Sequence, residues 1–117
     1  MKNCIFCKII RGEAPSYKVY EDNKYLAFLD TNPRVPGHTL VIPRKHYHWV
    51  YDVPNFGQYW EVALKVTKAI QKACHPEFIR YVTYGVHVPH AHIHILPQGG
   101  IIKGDLSEIA QKIGQSL

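Results

Sequence analysis

A short stretch near the end of the chain, HAHIHILP at residues 90–97, places a histidine at every second position: His90, His92 and His94. In a β-strand, side chains at alternate positions project from the same face, so the three side chains would stand about 7 Å apart. The alternate residues would face the core: Ala91, Ile93 and Ile95. A single histidine is most often an ordinary core residue, whereas three on one strand face predict a site with imidazole chemistry.

Two kinds of chemistry suit such a row. The first is metal binding, since imidazole is a common metal ligand. Metal sites of this kind usually recruit a carboxylate or a remote histidine, and no carboxylate lies between Glu77 and Asp105. The second is phosphate chemistry, in which one imidazole, largely neutral near pH 7, attacks phosphorus while its neighbours bind phosphate oxygens. This second chemistry needs no divalent metal. The residues alone leave both alternatives open.

The elements that must position these histidines are predicted from periodicity and turn residues. Residues 16–30 predict two strands around a polar turn at 21–24, with half-buried alternation at Tyr17, Val19, Leu26 and Phe28. Residues 38–43 predict a third strand, and 77–85 and 90–96 the last two. The strands are predicted to form an antiparallel sheet.

Three helices are predicted to accompany the sheet. The first runs from Ile5 to Arg11 and is closed by Gly12. The main helix follows Asn55, an N-cap that Gln58 completes as a capping box. Its buried face is predicted from helical spacing, at Phe56, Tyr59, Ala63, Val66 and Ile70. A C-terminal helix opens with a second capping box, Asp105 and Glu108. The fold class is therefore α+β, as one domain over residues 1–117.

Composition restricts the class of protein. The chain has 117 residues, enough for one core. No apolar run approaches the ~20 residues of a membrane helix, and no secretory signal is evident, which predicts a cytoplasmic protein without a membrane partner. The net charge of +5 suits an anionic ligand. A nucleic-acid partner is not favoured, because no cluster of basic and aromatic residues stands out.

Three stretches, in order, resemble one family. HAHIHIL matches its H-φ-H-φ-H-φ-φ signature (φ apolar), CIFCKIIRGEAPSYKVYEDNKYLAFLD resembles its N-terminal part, and PGHTLVIPRKH its central strand. The chain is thus similar, over roughly residues 4–97, to the histidine triad (HIT) family of nucleotide hydrolases and transferases. The nearest branch is the phosphoramidase-like one with an N-terminal C-x-x-C. The resemblance implies a HIT-like fold with about five antiparallel strands, one main helix and short terminal helices.

The resemblance also implies catalytic roles. His92 matches the family's nucleophile, which attacks the α-phosphorus to form a nucleotidyl-histidine intermediate. The main-chain carbonyl of His90 is expected to hold the Nδ1–H of His92, and His94 to donate to phosphate oxygens. His38 matches the upstream histidine that completes the site.

Binding residues follow from the same resemblance. Asp30 matches the residue that binds ribose hydroxyls, although an Asp at this place can simply cap nearby amides. The base contacts map onto four apolar positions, for each of which core membership is an equal alternative: Phe6, Ile10, Phe28 and Leu29. Val86 and His87 replace the family's usual Gln and small hydroxyl residue, so His87 is expected either to contact phosphate or to face solvent.

The C-x-x-C implies a structural zinc ion. The family pattern maps its ligands onto Cys4, Cys7, His46 and His90, a complete tetrahedral set, with His48 as a rival to His46. The resemblance further implies a homodimer that pairs the main helix and the following strand.

The predicted function is hydrolysis of purine nucleoside phosphoramidates or adenylates with release of AMP. The alternatives are a dinucleoside polyphosphate hydrolase, a nucleotide-binding regulator of low turnover and, with least support, a zinc module that binds nucleic acid.

Overall fold

The computed structural model describes residues 3–117, so Met1 and Lys2 of the predicted domain lie outside the described part. Residues 3–117 form five strands and three α-helices. In order they are α1 (Ile5–Ile10), β1 (Lys18–Glu21), β2 (Tyr25–Leu29), β3 (Thr39–Pro43), a 3₁₀ turn (Val50–Asp52), α2 (Phe56–Cys74), β4 (Phe78–Val82), β5 (Ile93–Gln98) and α3 (Leu106–Gln115). The predicted α+β class, with a five-stranded sheet and one main helix, is confirmed.

The sheet has the strand order β1-β2-β3-β5-β4, and every neighbouring pair is antiparallel. Helices α2 and α3 pack on one face around the main core, while α1 covers part of the other. Strand β2 is consequently buried along its whole length. The predicted half-buried alternation is wrong here, because Leu26 and Phe28 lie under α1 whereas Val19 points into the main core.

The two predicted capping boxes have different outcomes. Asp105 accepts a hydrogen bond from the Glu108 amide at 2.8 Å, and the Glu108 carboxylate accepts one from the Asp105 amide at 3.1 Å, which confirms the box of α3. The capping box predicted for α2 does not form. Asn55 is left-handed (φ 55°) and makes no side-chain cap bond, whereas an N-cap that bonds the first turn is normally extended. Gln58 instead accepts a bond from the Tyr25 hydroxyl at 3.3 Å, and Phe56 is exposed.

The histidine row precedes and enters β5. Ala91, Ile93 and Ile95 belong to the main core, as predicted. The histidines point to the opposite side, but that side is not a polar surface. His90, His92 and His94 are only 0%, 5% and 9% exposed, because α1 and the loops before β3 and β5 cover them. None of the described helices is long and apolar enough to cross a membrane.

Candidate active site and metal group

His92 is held with one nitrogen committed and the other free to react. Its Nδ1–H donates to the main-chain oxygen of His90 at 2.7 Å. Since a neutral imidazole carries one proton, Nε2 keeps its lone pair. The ring of Phe6 from α1 packs edge-on at 5.1 Å and limits rotation of the His92 ring. Gly85 brings the loop before β5 close to this ring with a left-handed φ of 63°. The arrangement presents Nε2 as a nucleophile.

His38 and His94 form a directed pair beside His92. The amide of Arg34 donates to His38 Nδ1 at 3.2 Å, so this nitrogen carries no proton. His38 Nε2–H therefore donates to His94 Nδ1 at 2.9 Å. His94 must then carry its proton on Nε2. Its ring lies 4.8 Å from that of His92, closer than the strand rise alone gives, because the two rings lean together. The pair thus fixes an N–H donor next to the ring of His92.

Burial favours the neutral form of these three imidazoles. It lowers the pKa of His92 and of His38, and for His38 the nearby Asp30 carboxylate opposes that effect. The pKa of His94 falls to about 4, mainly through burial and then through its histidine neighbours. A neutral His92 can attack phosphorus at neutral pH, because protonation would remove the lone pair.

Asp30 stands at the end of β2, beside the histidine pair. Its Oδ1 accepts a hydrogen bond from the Asn32 amide at 2.9 Å, and its Oδ2 lies 3.6 Å from His38 Nε2. The side-chain donor atoms of Asp30, His38 and His94 come within 4.8 Å of one another. A metal ion does not suit this group. It would need the Nε2 lone pair of His38, whose Nδ1 lone pair already accepts the Arg34 amide.

Two adjoining cavities meet at this site. The reactive cavity, of about 260 Å³, contains His92 and His94, with Arg34 and the loop 84–88 in its wall. The apolar cavity, of about 360 Å³, is lined mainly by α1, residues 14–16 and β2. Phe6, Asp30 and Leu40 line both. Their combined volume is in the range of small-molecule sites.

The predicted binding residues lie at different places around these cavities. Phe28 and Leu29 line the apolar cavity. Ile10 lines neither cavity, whereas its neighbour Ile9 lines the apolar cavity. His87 is exposed and lines the reactive cavity. Sequence reasoning did not single out Arg34, Leu40 or Tyr84, since nothing in their local pattern marks them.

A second group of donors lies on the other side of His90. The Nε2–H of His90 donates to the Pro43 carbonyl at 2.9 Å, which leaves Nδ1 with its lone pair. That nitrogen lies 3.4 Å from Cys4 Sγ and 3.5 Å from Cys7 Sγ. His46 Nδ1 lies 3.2 Å from Cys7 Sγ. His48 stacks instead on Trp49, so it is His46 that joins the group.

The donor set fits a tetrahedral metal ion. Two sulfurs and two nitrogens lie within 4.8 Å of one another, and zinc takes sulfur at about 2.3 Å and imidazole at about 2.0–2.1 Å. Burial, together with Cys4, raises the pKa of the Cys7 thiol to about 11. A thiolate would therefore form here only with a cation to compensate its charge.

Comparison with known proteins agrees with this geometry. Residues 11–100 match the HIT domain. The chain belongs to the HIT family. A HIT-like protein of Bartonella henselae involved in cell-cycle regulation shares the fold with a TM-score of 0.89 at 35% identity, over 100% of this chain and 98% of that one.

Two relatives of this HIT protein carry names that describe an activity. Adenosine 5′-monophosphoramidase HNT1 of Saccharomyces cerevisiae is 35% identical over 115 residues, which span 86% of this chain and 68% of that protein. Adenylylsulfatase HINT3 of Arabidopsis thaliana is 39% identical over 104 residues, 82% of this chain but about half (52%) of that protein. Nucleotide hydrolysis is therefore supported at the level of the family.

A further solved structure concerns the four residues Cys4, Cys7, His46 and His90, called the metal group below. A zinc-bound histidine triad protein of Mycobacterium smegmatis superposes with a TM-score of 0.86 at 26% identity, over 98% of this chain and 93% of that one. A zinc ion thus occurs in a protein of this fold family, and in this chain the group of Cys4, Cys7, His46 and His90 offers a donor set of the kind that zinc takes.

Proposed function

We propose that this HIT protein hydrolyses adenylates and purine nucleoside phosphoramidates at the α-phosphorus and releases AMP through a nucleotidyl-histidine intermediate. The observation that carries the proposal is the protonation pattern of the site. A lone pair on His92 Nε2 stands beside a proton on His94 Nε2, and each is fixed by a backbone partner or by His38.

The chemistry proceeds in two displacements. His92 Nε2 attacks phosphorus, the bond to the leaving group breaks, and the bonding electron pair departs with that group; the nitrogen of a phosphoramidate takes up one proton from solvent and leaves as ammonia. The ring becomes a cation, and the His90 carbonyl that accepts its Nδ1–H stabilises the new charge. His94 donates its Nε2–H toward phosphate oxygens or the leaving atom. Water then attacks phosphorus, the N–P bond breaks, and AMP, neutral His92 and one proton result.

The two cavities divide the substrate between them. The apolar cavity suits a purine, with Phe6, Phe28 and Leu29 as contacts. Asp30 lies in the shared wall, where its carboxylate suits ribose hydroxyls. Ile10 supports the base site indirectly, because it packs in the cluster that holds α1 against the sheet. His87 takes the place of a small hydroxyl residue as a contact to phosphate.

The zinc ion is proposed as structural. Cys4, Cys7, His46 and His90 would fill all four tetrahedral positions and leave none for substrate. The ion would join the start of α1 to the loops before β5 and after β3. Together with the free state of the three cysteines, a metal-binding role for the C-x-x-C suits a reducing compartment such as the cytoplasm.

The decisive experiment compares AMP release from adenosine 5′-phosphoramidate and diadenosine tetraphosphate in the wild type and in His92→Asn. We expect release from the phosphoramidate to fall by about a thousandfold or more in the variant, since removal of a nucleophile has effects of that size. Rapid quenching in acid-free buffer with labelled substrate should trap label on the wild type only. Equal rates in the two proteins would rule out the mechanism. Turnover of the dinucleotide alone would change the substrate class, and AMP binding without turnover would indicate a regulator.

We further propose a homodimer through the outer face of α2 and β4. Strand β4 is a sheet edge, and Leu64, Phe78 and Tyr81 on these elements are 52%, 55% and 42% exposed. The indole N–H of Trp60, on the same helix, is buried without an acceptor among residues 3–117. A second copy would cover the apolar surface and close the edge.

Light scattering after size exclusion tests the dimer. Leu64→Asp should yield monomers, because it places a charge at the centre of the apolar surface. Tyr51→Asp, at a more exposed aromatic residue on the 3₁₀ turn, serves as a control and should leave the mass unchanged. A monomeric wild type would refute the proposal.

A further inference from the structure

Arg34 is a cation in the wall of the reactive cavity to which the mechanism above gives no role. It lies in the loop between β2 and β3, and its side chain is exposed. Among residues 3–117, it is the one Lys or Arg that lines this cavity. No carboxylate lies within 4.0 Å of its guanidinium in the described part of the chain. Asp30, the acidic residue in the same wall, is engaged by the Asn32 amide and by His38.

The position of Arg34 relative to the two cavities indicates which part of a substrate it meets. It lines the cavity that contains His92 and His94, and it is not part of the apolar cavity that suits the base. Its positive charge acts on the same histidines, since it lowers the pKa of both His38 and His94. The guanidinium therefore belongs to the phosphate and leaving-group side.

We propose that Arg34 is a specificity-determining residue that selects nucleotidyl substrates whose leaving group carries its own negative charge. This inference rests on the proposed function. The class comprises nucleoside 5′-phosphates linked through oxygen to sulfate or to a further phosphate. A guanidinium binds such oxyanions with two parallel hydrogen bonds, whereas ammonia leaving a phosphoramidate offers no anion to bind.

The fate of the electron pair and of the proton in the first displacement supports the proposal. When His92 attacks, the bond between phosphorus and the bridging oxygen breaks, and the oxygen departs with the electron pair. Sulfate leaves as a stable dianion and needs no proton, so a fixed positive charge is the help it requires. An amine must instead gain a proton at nitrogen, which Arg34 does not supply. Arg34 should thus favour the first kind of substrate over the second.

The test measures kcat/KM for adenosine 5′-phosphosulfate, ADP and adenosine 5′-phosphoramidate at fixed ionic strength. Arg34→Gln removes the charge but keeps the backbone amide that holds His38. We expect the preference for phosphosulfate over phosphoramidate to fall roughly ten- to a hundredfold, as loss of a charge-assisted bond predicts. Arg34→Lys should recover part of it. Results with ADP separate a general preference for oxyanions from one for sulfate.

Lys72→Gln is the matched control, since it removes one positive charge from an exposed position on α2. It should leave the preference within about twofold of wild type. An unchanged preference in Arg34→Gln, or an equal loss on all three substrates, would overturn the proposal; equal loss would mean that Arg34 binds the part they share.

A binding experiment keeps this proposal separate from the proposed function. Calorimetry of phosphosulfate and phosphoramidate with His92→Asn, with and without Arg34→Gln, needs no turnover. If the wild type hydrolyses none of the substrates, the proposed function fails. Arg34 selection is then supported if the ratio of the two affinities falls with Arg34→Gln, and overturned if the ratio stays constant.

Discussion

His90 and His92 are two residues apart, yet their rings serve groups with opposite arrangements of protons. In the metal group, lone pairs converge: the Nδ1 atoms of His90 and His46 face two sulfurs. His38, His92 and His94 form the reactive group. There, donors and acceptors alternate from the Arg34 amide through His38 to His94. The difference originates in backbone carbonyls. Pro43 takes the Nε2–H of His90, whereas His90 itself takes the Nδ1–H of His92. Residue type alone does not decide what a histidine does.

The largest expected effect is on the metal group. His46→Asn removes one of the four proposed zinc ligands, whereas His48→Asn changes an exposed neighbour that stacks on Trp49. We expect His46→Asn to lose bound zinc and to lower the free energy of unfolding by on the order of 3 kcal/mol, because structural metal binding contributes to folding. Elemental analysis and thermal melting measure this. Equal zinc content and stability in the two variants would show that His46 is not a ligand.

A smaller effect should separate the reactive group from the metal group. His38→Asn removes the ring that fixes the proton of His94 on Nε2. We expect kcat for AMP release to fall about a hundredfold, in the range typical of lost acid–base groups, while zinc content stays at the wild-type level. The exposed His75→Asn is the control, and its left-handed backbone accepts Asn. Zinc loss in His38→Asn would mean that the groups are not independent.

The smallest effect concerns pH. In the proposed mechanism His92 attacks only when neutral, and burial lowers its pKa below the ordinary value of about 6.5. As pH falls from 8, kcat/KM should therefore reach half of its plateau only below pH 6.5. A pH profile of kcat/KM reports this group in the free enzyme. A half-maximal point at or above pH 6.5 contradicts the pKa direction given by burial.

Much of the fold could be predicted because its signals are local. Alternation and turn residues were sufficient for five strands, and helical spacing for α2 and α3. The prediction of the box at Asn55 failed because a left-handed backbone redirects a side chain, which the residue type does not reveal. The burial of the histidine row could not be predicted either. Whether the second face of a sheet meets water depends on what packs there, and here α1 does.

The sequence by itself determined the types and spacing of the reactive groups: the histidine row, His38, and the C-x-x-C. These follow from side-chain chemistry and from the period of two in a strand. Only the tertiary structure decided that His46 and not His48 joins Cys4, Cys7 and His90, which nitrogens of His38 and His94 keep their lone pairs, and that Arg34 lines the reactive cavity. Those properties depend on contacts between residues up to 86 positions apart in the chain, such as Cys4 and His90, and no local pattern encodes them.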